Sequence, residues 1–510
     1  MARTGGSVAD VLIVGGGSAG CVLAARLSED RACNVLLIEA GPDAPTAADL
    51  PADIADGSAV TVDHDWGYVS EPDGPGRSLP LPRARFMGGC SSTNACAALR
   101  GSPADYDRWA QLGNEGWGFA DVLPFFRKLE SDVDFHENEW HGTTGPLPIR
   151  RCTVPELNPV HRAFVEAARS VGLAHVEDHN RPGSVGVGLL PRTDRDGLRM
   201  STARTYLAAA RPRPNLTIRS DTLVDRAVLR AGRATGVRLA TGELVDAERV
   251  VVAAGAYASP AILQRSGIGP ARALAELGID LAADLPGVGE NLIDHPLYDV
   301  GFGTRVEAVG IRFQAIATLR SSMASPDGAP DLHVLPTGPF EISTELSPTG
   351  RGFGLVVGLV QPRSRGRVQL RSIDPGDAPR IDPAHLREPD DLVRMVEGTV
   401  VARRISRTAP LAELVAGEER TAGRWVSDDD RDALASSIRA NVATYHHPVG
   451  TCRMGTDPRT GAVVNARGRV YGVDRLYVAD ASIMPTIPSV NTNLPTIMLA
   501  ERIAAWLVDS

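Results

Sequence analysis

The chain has 510 residues, 43% hydrophobic and 23% charged, enough for two structural domains with sizeable cores. Its 53 basic side chains against 62 acidic ones leave a net charge of −9, and no basic cluster suits nucleic acid or an anionic membrane. No run reaches the ~18 apolar residues of a membrane span, and Met1–Gly6 carries no apolar signal core, which predicts a cytoplasmic protein without membrane insertion.

The first element is a nucleotide cradle. Val11–Val14 is an apolar run short enough for a buried parallel strand. Gly15-Gly16-Gly17-Ser18-Ala19-Gly20 follows, and Cys21–Leu27 reads as a helix. Gly15 permits the tight turn, Gly17 lets a pyrophosphate approach the backbone, and Gly20 lets the helix pack on the strand. The phosphates belong at the helix N-terminus, where free N–H groups and the dipole favour anions. A second strand, Val35–Ile38, ends in Glu39, at the spacing of a carboxylate that holds a ribose hydroxyl. The motif by itself does not separate FAD from NAD.

Pro72–Pro82 reads as a surface loop, and the small residues of Arg83–Asn94 would let backbone lie against a flat ring. A helical pattern runs from Asp105 through Trp117 to Leu129, then a loop over His136–Pro148. Asn215–Arg219, Thr222–Leu229, Val237–Leu239 and Glu243–Val252 predict a small β-meander. A helix is predicted over Ser259–Arg265, and strands and loops mix from Leu297 to about Gly366, with Gly354–Val360 and Arg367–Arg371 the clearest strands. Asp390–Thr408 reads as a helix, Arg475–Val478 as a last strand and Pro495–Val508 as a last helix. The six cysteines (Cys21, Cys33, Cys90, Cys96, Cys152, Cys452) show no C-x-x-C pair and no zinc-like His spacing, so reduced thiols and no metal are expected.

Several segments together resemble the glucose-methanol-choline (GMC) family of flavin oxidoreductases. Arg85–Asn94 matches the first family signature, with Met87, Cys90 and Thr93 as departures, and Gly255–Gly269 matches the second throughout. Pro286–Leu292, Ser364-Arg365-Gly366, His447–Thr451 and Val478–Ser482 fit as well, so the resemblance covers nearly the whole chain. It implies an α/β fold, α+β overall: a Rossmann-like FAD-binding domain and a substrate domain on an antiparallel sheet flanked by helices. The expected division is 1–152, 200–296 and 448–510 for FAD, and 153–199 and 297–447 for substrate.

Carried over by position, Gly15, Gly17, Ser18 and Gly20 would hold the pyrophosphate and Glu39 the adenine ribose. Val224 would meet adenine through its backbone, and Gly88, Ser92, Asn94, Asp480, Ala481 and Thr492 would line the ring or ribityl chain. Ala19, Ala40, Arg85 and Asn491 belong to the same cofactor set. Some relatives attach FAD through a histidine of the first signature; Thr93 stands there, which implies non-covalent FAD. His447 sits where the family keeps its general base, and Asn491 at the second catalytic position, where it would orient the alcohol oxygen.

The implied activity is oxidation of a primary alcohol to the aldehyde, by hydride transfer to the flavin, with oxygen or another electron acceptor. The chain looks most similar to bacterial 5-hydroxymethylfurfural and aryl-alcohol oxidases, and also to choline dehydrogenase-like members. Gln314 and Leu335 align with a cation-binding Glu and a His of choline oxidase, which argues for a neutral alcohol. Val360 falls where a light-driven decarboxylase of this fold has its Cys, and His446 is a further pocket candidate. A hydroxynitrile lyase of the same fold would keep the same histidine and is one alternative reading; choline dehydrogenase-like activity is the other.

Overall fold

A computed structural model describes residues 8–74, 76–136, 138–307 and 310–509; Met1–Gly6 and single positions of the 72–82 and 136–148 loops lie outside them. The mixed α/β architecture is built on two sheets. In the first, β1 (Ala9–Val14) runs parallel to β2 (Val35–Ile38), and Leu216–Arg219 (β3) extends β2 in parallel. Val11, Leu12 and Ile13 are fully buried, as a central parallel strand covered on both faces requires. Between β1 and β2 lies helix α1 (Ser18–Leu27).

Strands β4 (Val224–Arg230), β5 (Arg233–Leu239) and β6 (Leu244–Val252) form an antiparallel run. Strand β6 serves twice. Its first residues pair with β5, and Arg249–Val252 pair in parallel with β1. The late strand Leu476–Val478 lies on its other side, also parallel. Leu216–Arg219 is thus not the first strand of a meander but an edge of the parallel sheet. Asn215 explains it: its amide donates to the carbonyls of Ser28, Asp30 and Cys33, which pins β3 beside β2.

The second sheet is largely antiparallel: β7 (Pro296–Thr304), β10 (Arg351–Leu359), β9 (Leu332–Glu341) and β8 (Ala315–Leu319) follow one another across it. Helices Pro159–Ser170, Pro389–Ser406 and Arg431–Asn441 cover one face, packing Phe164, Met395, Ile405 and Leu434 on Leu355 and Val357. The first and third of these helices carry no sequence expectation, although Asn158-Pro159 is a start signal: Asn158 Oδ1 accepts the Val160 N–H at 2.9 Å. The expected helix from Asp105 to Leu129 is two helices, Pro103–Gln111 and Phe119–Leu129, because Gly113 and Gly116 take φ of +88° and +81° between them.

Glu130, Asp132 and His141 have ligand-like spacing, but each is already ion-paired. Arg100 reaches Glu130 at 2.9 Å, Arg151 bonds Asp132, and His141 lies 2.9 Å from Asp178. Burial lowers the His141 pKa, yet the bonds to Asp178 and Glu130 outweigh it and raise the value to about 9. A raised folded-state pKa gives stability that is complete below 6.5 and lost as pH climbs through about 9. Thermal unfolding of the protein should therefore show a stability decline over that window, and His141→Gln should lower Tm at pH 6 and flatten the slope.

Candidate active site

A cavity of about 560 Å³ runs from the glycine turn after β1 to the apolar face of the second sheet. At one end, α1 starts at Gly17 with no side-chain cap, so its first N–H groups are free for an anion. The backbone is crowded there. A Cβ on Gly15 would meet the Ala253 carbonyl oxygen at 2.6 Å, and one on Gly20 would meet the Gly15 oxygen at 1.8 Å. Gly89 presses on Gly17, where an added Cβ would meet the Gly17 Cα at 2.7 Å. The first-signature loop is thereby stacked on the cradle, and Gly88 N donates to Gly16 O at 2.7 Å.

Glu39 closes this end. Its carboxylate accepts from Gly16 N at 2.6 Å and Gly41 N at 2.8 Å, and it lines the cavity. Burial pushes its pKa up to about 7 against the pull of those N–H donors. An uncapped helix start, a cradle without side chains and a buried carboxylate together fit a dinucleotide.

Three segments converge at the other end. Helix α2 (Gly255–Arg265) is tied to the C-terminal part by Asp480, whose Oδ2 accepts from Gly255 N at 2.8 Å and from the Ser259 hydroxyl. The final helix, α3 (Asn493–Val508), begins beside the cavity with no acid in its first turn and no side-chain cap. Residues 443–449 run antiparallel to 293–297, with Ile293 opposite Val449 and Pro296 opposite Thr444. Four residues, Tyr445–Pro448, thus stand against two, Asp294 and His295, and the excess bulges toward the cavity. His446 takes φ +67° to make the turn, and Arg83 bonds its carbonyl at 2.8 Å. Asp294 holds the bulge: Oδ1 accepts the His447 N–H at 2.8 Å and Oδ2 the Thr444 hydroxyl.

His447 Nε2 lies 3.1 Å from Asn491 Nδ2, and His447 Nδ1 lies 3.0 Å from His295 Nδ1. Burial, then the neighbouring His295, hold the His447 pKa well below 6.5, so the imidazole is neutral. The Tyr445 ring packs on it at 4.6 Å. Burial opposes ionisation of Asp294, but His385, Thr444 and His447 together carry its pKa below the usual carboxylate range.

Most of the expected residues do meet at this cavity. Gly15, Gly17, Ser18, Ala19, Glu39, Ala40, Asn94, Val224, Leu335, His446, His447, Asp480, Ala481, Asn491 and Thr492 all line it. Others stand behind the wall. Gly20 packs helix on strand, Ser92 bonds Met87 O, Gly88 supports the loop, and Arg85 stacks over Trp66 at 5.1 Å. Gln314 is turned away from the cavity: its amide bonds Asn158 N and Glu156 O, so it is not a pocket residue. Val360 is fully buried behind the wall. Asp294, His295 and Tyr445 were not anticipated. The signal lay at hand, since Ile293-Asp294-His295 directly continues the matched Pro286–Leu292 segment.

The comparisons agree with this geometry. Family models described as GMC oxidoreductase match residues 9–297 and 362–500. The chain is 37% identical over 530 residues to an oxygen-dependent choline dehydrogenase of Sinorhizobium medicae, covering 97% of this chain and 95% of that protein. It is similar to the crystal structure of pyridoxine 4-oxidase from Mesorbium loti, with 34% identity, a TM-score of 0.89 and coverage of 98% and 99%. A fungal aryl-alcohol oxidase structure shares the fold, with 22% identity, a TM-score of 0.84 and 99% of each chain covered. The site and fold define an FAD-dependent oxidoreductase that acts on alcohols. The chain belongs to the GMC oxidoreductases.

Ribose hydroxyls donate to a carboxylate better than to a carboxylic acid, so a ribose held at Glu39, as the resemblance implies, would favour the ionised form. FAD affinity of the apoprotein, followed by flavin fluorescence titration, should rise with pH up to about 7 and then level off. Glu39→Gln should remove that dependence and weaken binding.

Proposed function

We propose that the protein oxidises a neutral primary alcohol to its aldehyde, with His447 as general base and Asn491 as the group that orients the alcohol oxygen. FAD supplies the hydride acceptor when bound, and Thr93, on the cavity wall without an imidazole, supports non-covalent attachment. The observation that carries the reading is the neutral His447 with Nε2 3.1 Å from Asn491 at one end of the cavity. Nε2 takes the hydroxyl proton, and the carbon gives up its hydride as the C=O bond forms. The Asn491 amide holds the oxygen so that one C–H bond is presented for transfer. Asp294, hydrogen-bonded to the His447 backbone, supplies a negative charge beside the imidazolium that results. Two separate hydrophobic cores support the division of the chain into FAD-binding segments 1–152, 200–296 and 448–510 and substrate-binding segments 153–199 and 297–447.

The wall beside His447 favours an apolar or aromatic substrate body. Leu297, Phe313, Leu335, Val356 and Tyr445 line it, and the Arg312 guanidinium adds positive charge. A quaternary ammonium needs a carboxylate or an aromatic cage. Choline oxidation is the second reading, favoured by the named relative. The rings of Tyr445 and Phe313 on the cavity wall are the groups it would use, since Asp299, opposite Val356, lies over Gly354 and outside the lining.

Anaerobic mixing with benzylic, furanic and aliphatic primary alcohols and with choline tests both. Bleaching of the flavin band by an aromatic or furanic alcohol is expected; bleaching by choline alone would overturn the neutral-substrate reading. Admitting air then separates oxygen from another acceptor by the speed of re-oxidation.

His447→Ala should keep its FAD and lose roughly 10²–10⁴-fold in turnover. Because burial holds the imidazole neutral, kcat/KM of the unmodified enzyme should stay level as pH falls through 6.5 and decline only well below it. An acid limb centred near the ordinary imidazole value would count against His447 as the base.

A further inference from the structure

The contact between two histidines at the site has a direction. His295 is fully buried, and its Nδ1 lies 3.0 Å from the Nδ1 of His447. One of the two nitrogens must donate. The other nitrogen of His295, Nε2, makes no well-formed hydrogen bond, and the acceptors disposed toward the ring are the carbonyls of Val360 and Pro488. A carbonyl can only accept, so the proton of a neutral His295 belongs on Nε2. Its Nδ1 is then a lone pair, and the proton between the rings belongs to His447 Nδ1.

We propose that His295 is a positioning residue that fixes His447 as the Nδ1–H tautomer, leaving the bare Nε2 toward Asn491 and the cavity. This rests on the reading of His447 as the base. A free histidine side chain favours the opposite tautomer, with the proton on Nε2, and in that form the nitrogen beside Asn491 could not accept a proton. Rotation of the ring is blocked as well. Tyr445 packs on one side at 4.6 Å, the His295 ring stands edge-on at 5.1 Å, and the His447 backbone is held by Asp294. The Tyr445 backbone N–H donates to the His295 carbonyl at 2.9 Å, so the two segments carry both rings as one unit. When His447 takes the hydroxyl proton on Nε2, its Nδ1–H stays on His295 and no second proton moves.

The same chain can be rebuilt with an amide. In His295→Asn, the side-chain NH₂ can face the carbonyls of Val360 and Pro488 and the oxygen can accept from His447. In His295→Leu, neither bond is possible. The measurement is single-turnover flavin bleaching by a reactive alcohol in FAD-loaded enzyme, with flavin content as the check on folding. His295→Leu is expected to slow bleaching roughly 10²-fold, the lower end of what a missing general base costs, and His295→Asn to recover at least tenfold of that loss. Nitrogen-15 NMR of the histidines in the unmodified holoenzyme, assigned with His447→Gln, should show His447 protonated at Nδ1 and bare at Nε2.

A proton on His447 Nε2, or a His295→Leu variant that bleaches at the unmodified rate, overturns the proposal. His447→Gln keeps the two claims apart. If His447→Gln is inactive while His295→Leu is fully active, the role of His295 alone falls. Full activity in His447→Gln removes the base assignment, and the NMR tautomer then decides whether His295 holds the ring.

Discussion

Much of the site hangs on the mismatch between residues 293–297 and 443–449. Regular antiparallel pairing would bury His447 in a ladder or turn it away. Two extra residues on the later strand push the ring out into the cavity, and the strand must then accommodate a non-glycine residue, His446, at φ +67°. Such a conformation costs about 1–3 kcal/mol and persists only where the surroundings over-determine it. Here the surroundings are one carboxylate. Asp294 accepts the His447 N–H with one oxygen and the Thr444 hydroxyl with the other, while Thr444 Oγ1 in turn accepts the His446 N–H. Backbone donors stranded by the bulge are thus satisfied by Asp294 and its partner. The same carboxylate lies close enough to stabilise a charged His447, so the group that shapes the backbone also acts on the imidazole proposed as the base.

Legibility in the sequence followed the range of the physics. The cradle could be read because it is local: an apolar run, a glycine turn and a helix, with an acid 19 residues past Gly20. Its strand, helix and second strand stand where that pattern places them, and the crowding at Gly15 and Gly20 excludes any Cβ. The second sheet was poorly legible. Strand 315–319 and most of 332–341 are buried on both faces, one side under helices and the other against the cavity wall, so they lack the alternation that marks a half-exposed strand. Gln314 shows the limit of position-by-position transfer in that region. It is a buried amide serving the cap of the 159–170 helix, a role that only the three-dimensional register reveals. His295 was hidden for a different reason: its meaning lies in one contact with a residue 152 positions away.

The relatives and the cavity pull on the substrate from different sides. A choline dehydrogenase at 37% identity shares the fold and the alcohol chemistry, yet charge recognition is set by a few wall residues that such an identity leaves free to change. In this chain the wall carries Leu297, Leu335 and Val356 together with the rings of Phe313 and Tyr445, and Arg312 is close by. An apolar wall discriminates weakly between hydrocarbon shapes but strongly against an unpaired cation, because the cation loses its hydration and gains nothing in return.

Burial of His447, the base proposed above, raises a question of its own. A histidine whose pKa is pushed well down is a weak proton acceptor in the resting site. The arrangement makes sense if the proton and the hydride leave the alcohol together. Positive charge then appears on His447 only as negative charge passes toward the cofactor, and the site as a whole stays near neutral. Two features of the fold lie on that axis: the carboxylate of Asp294 behind the imidazole, and the uncapped start of the Asn493–Val508 helix on the cofactor side of the cavity. Each stabilises a charge that exists only once transfer has begun. Interactions of that kind accelerate the chemical step rather than merely tightening binding, and a dry, low-dielectric pocket is where they count for most.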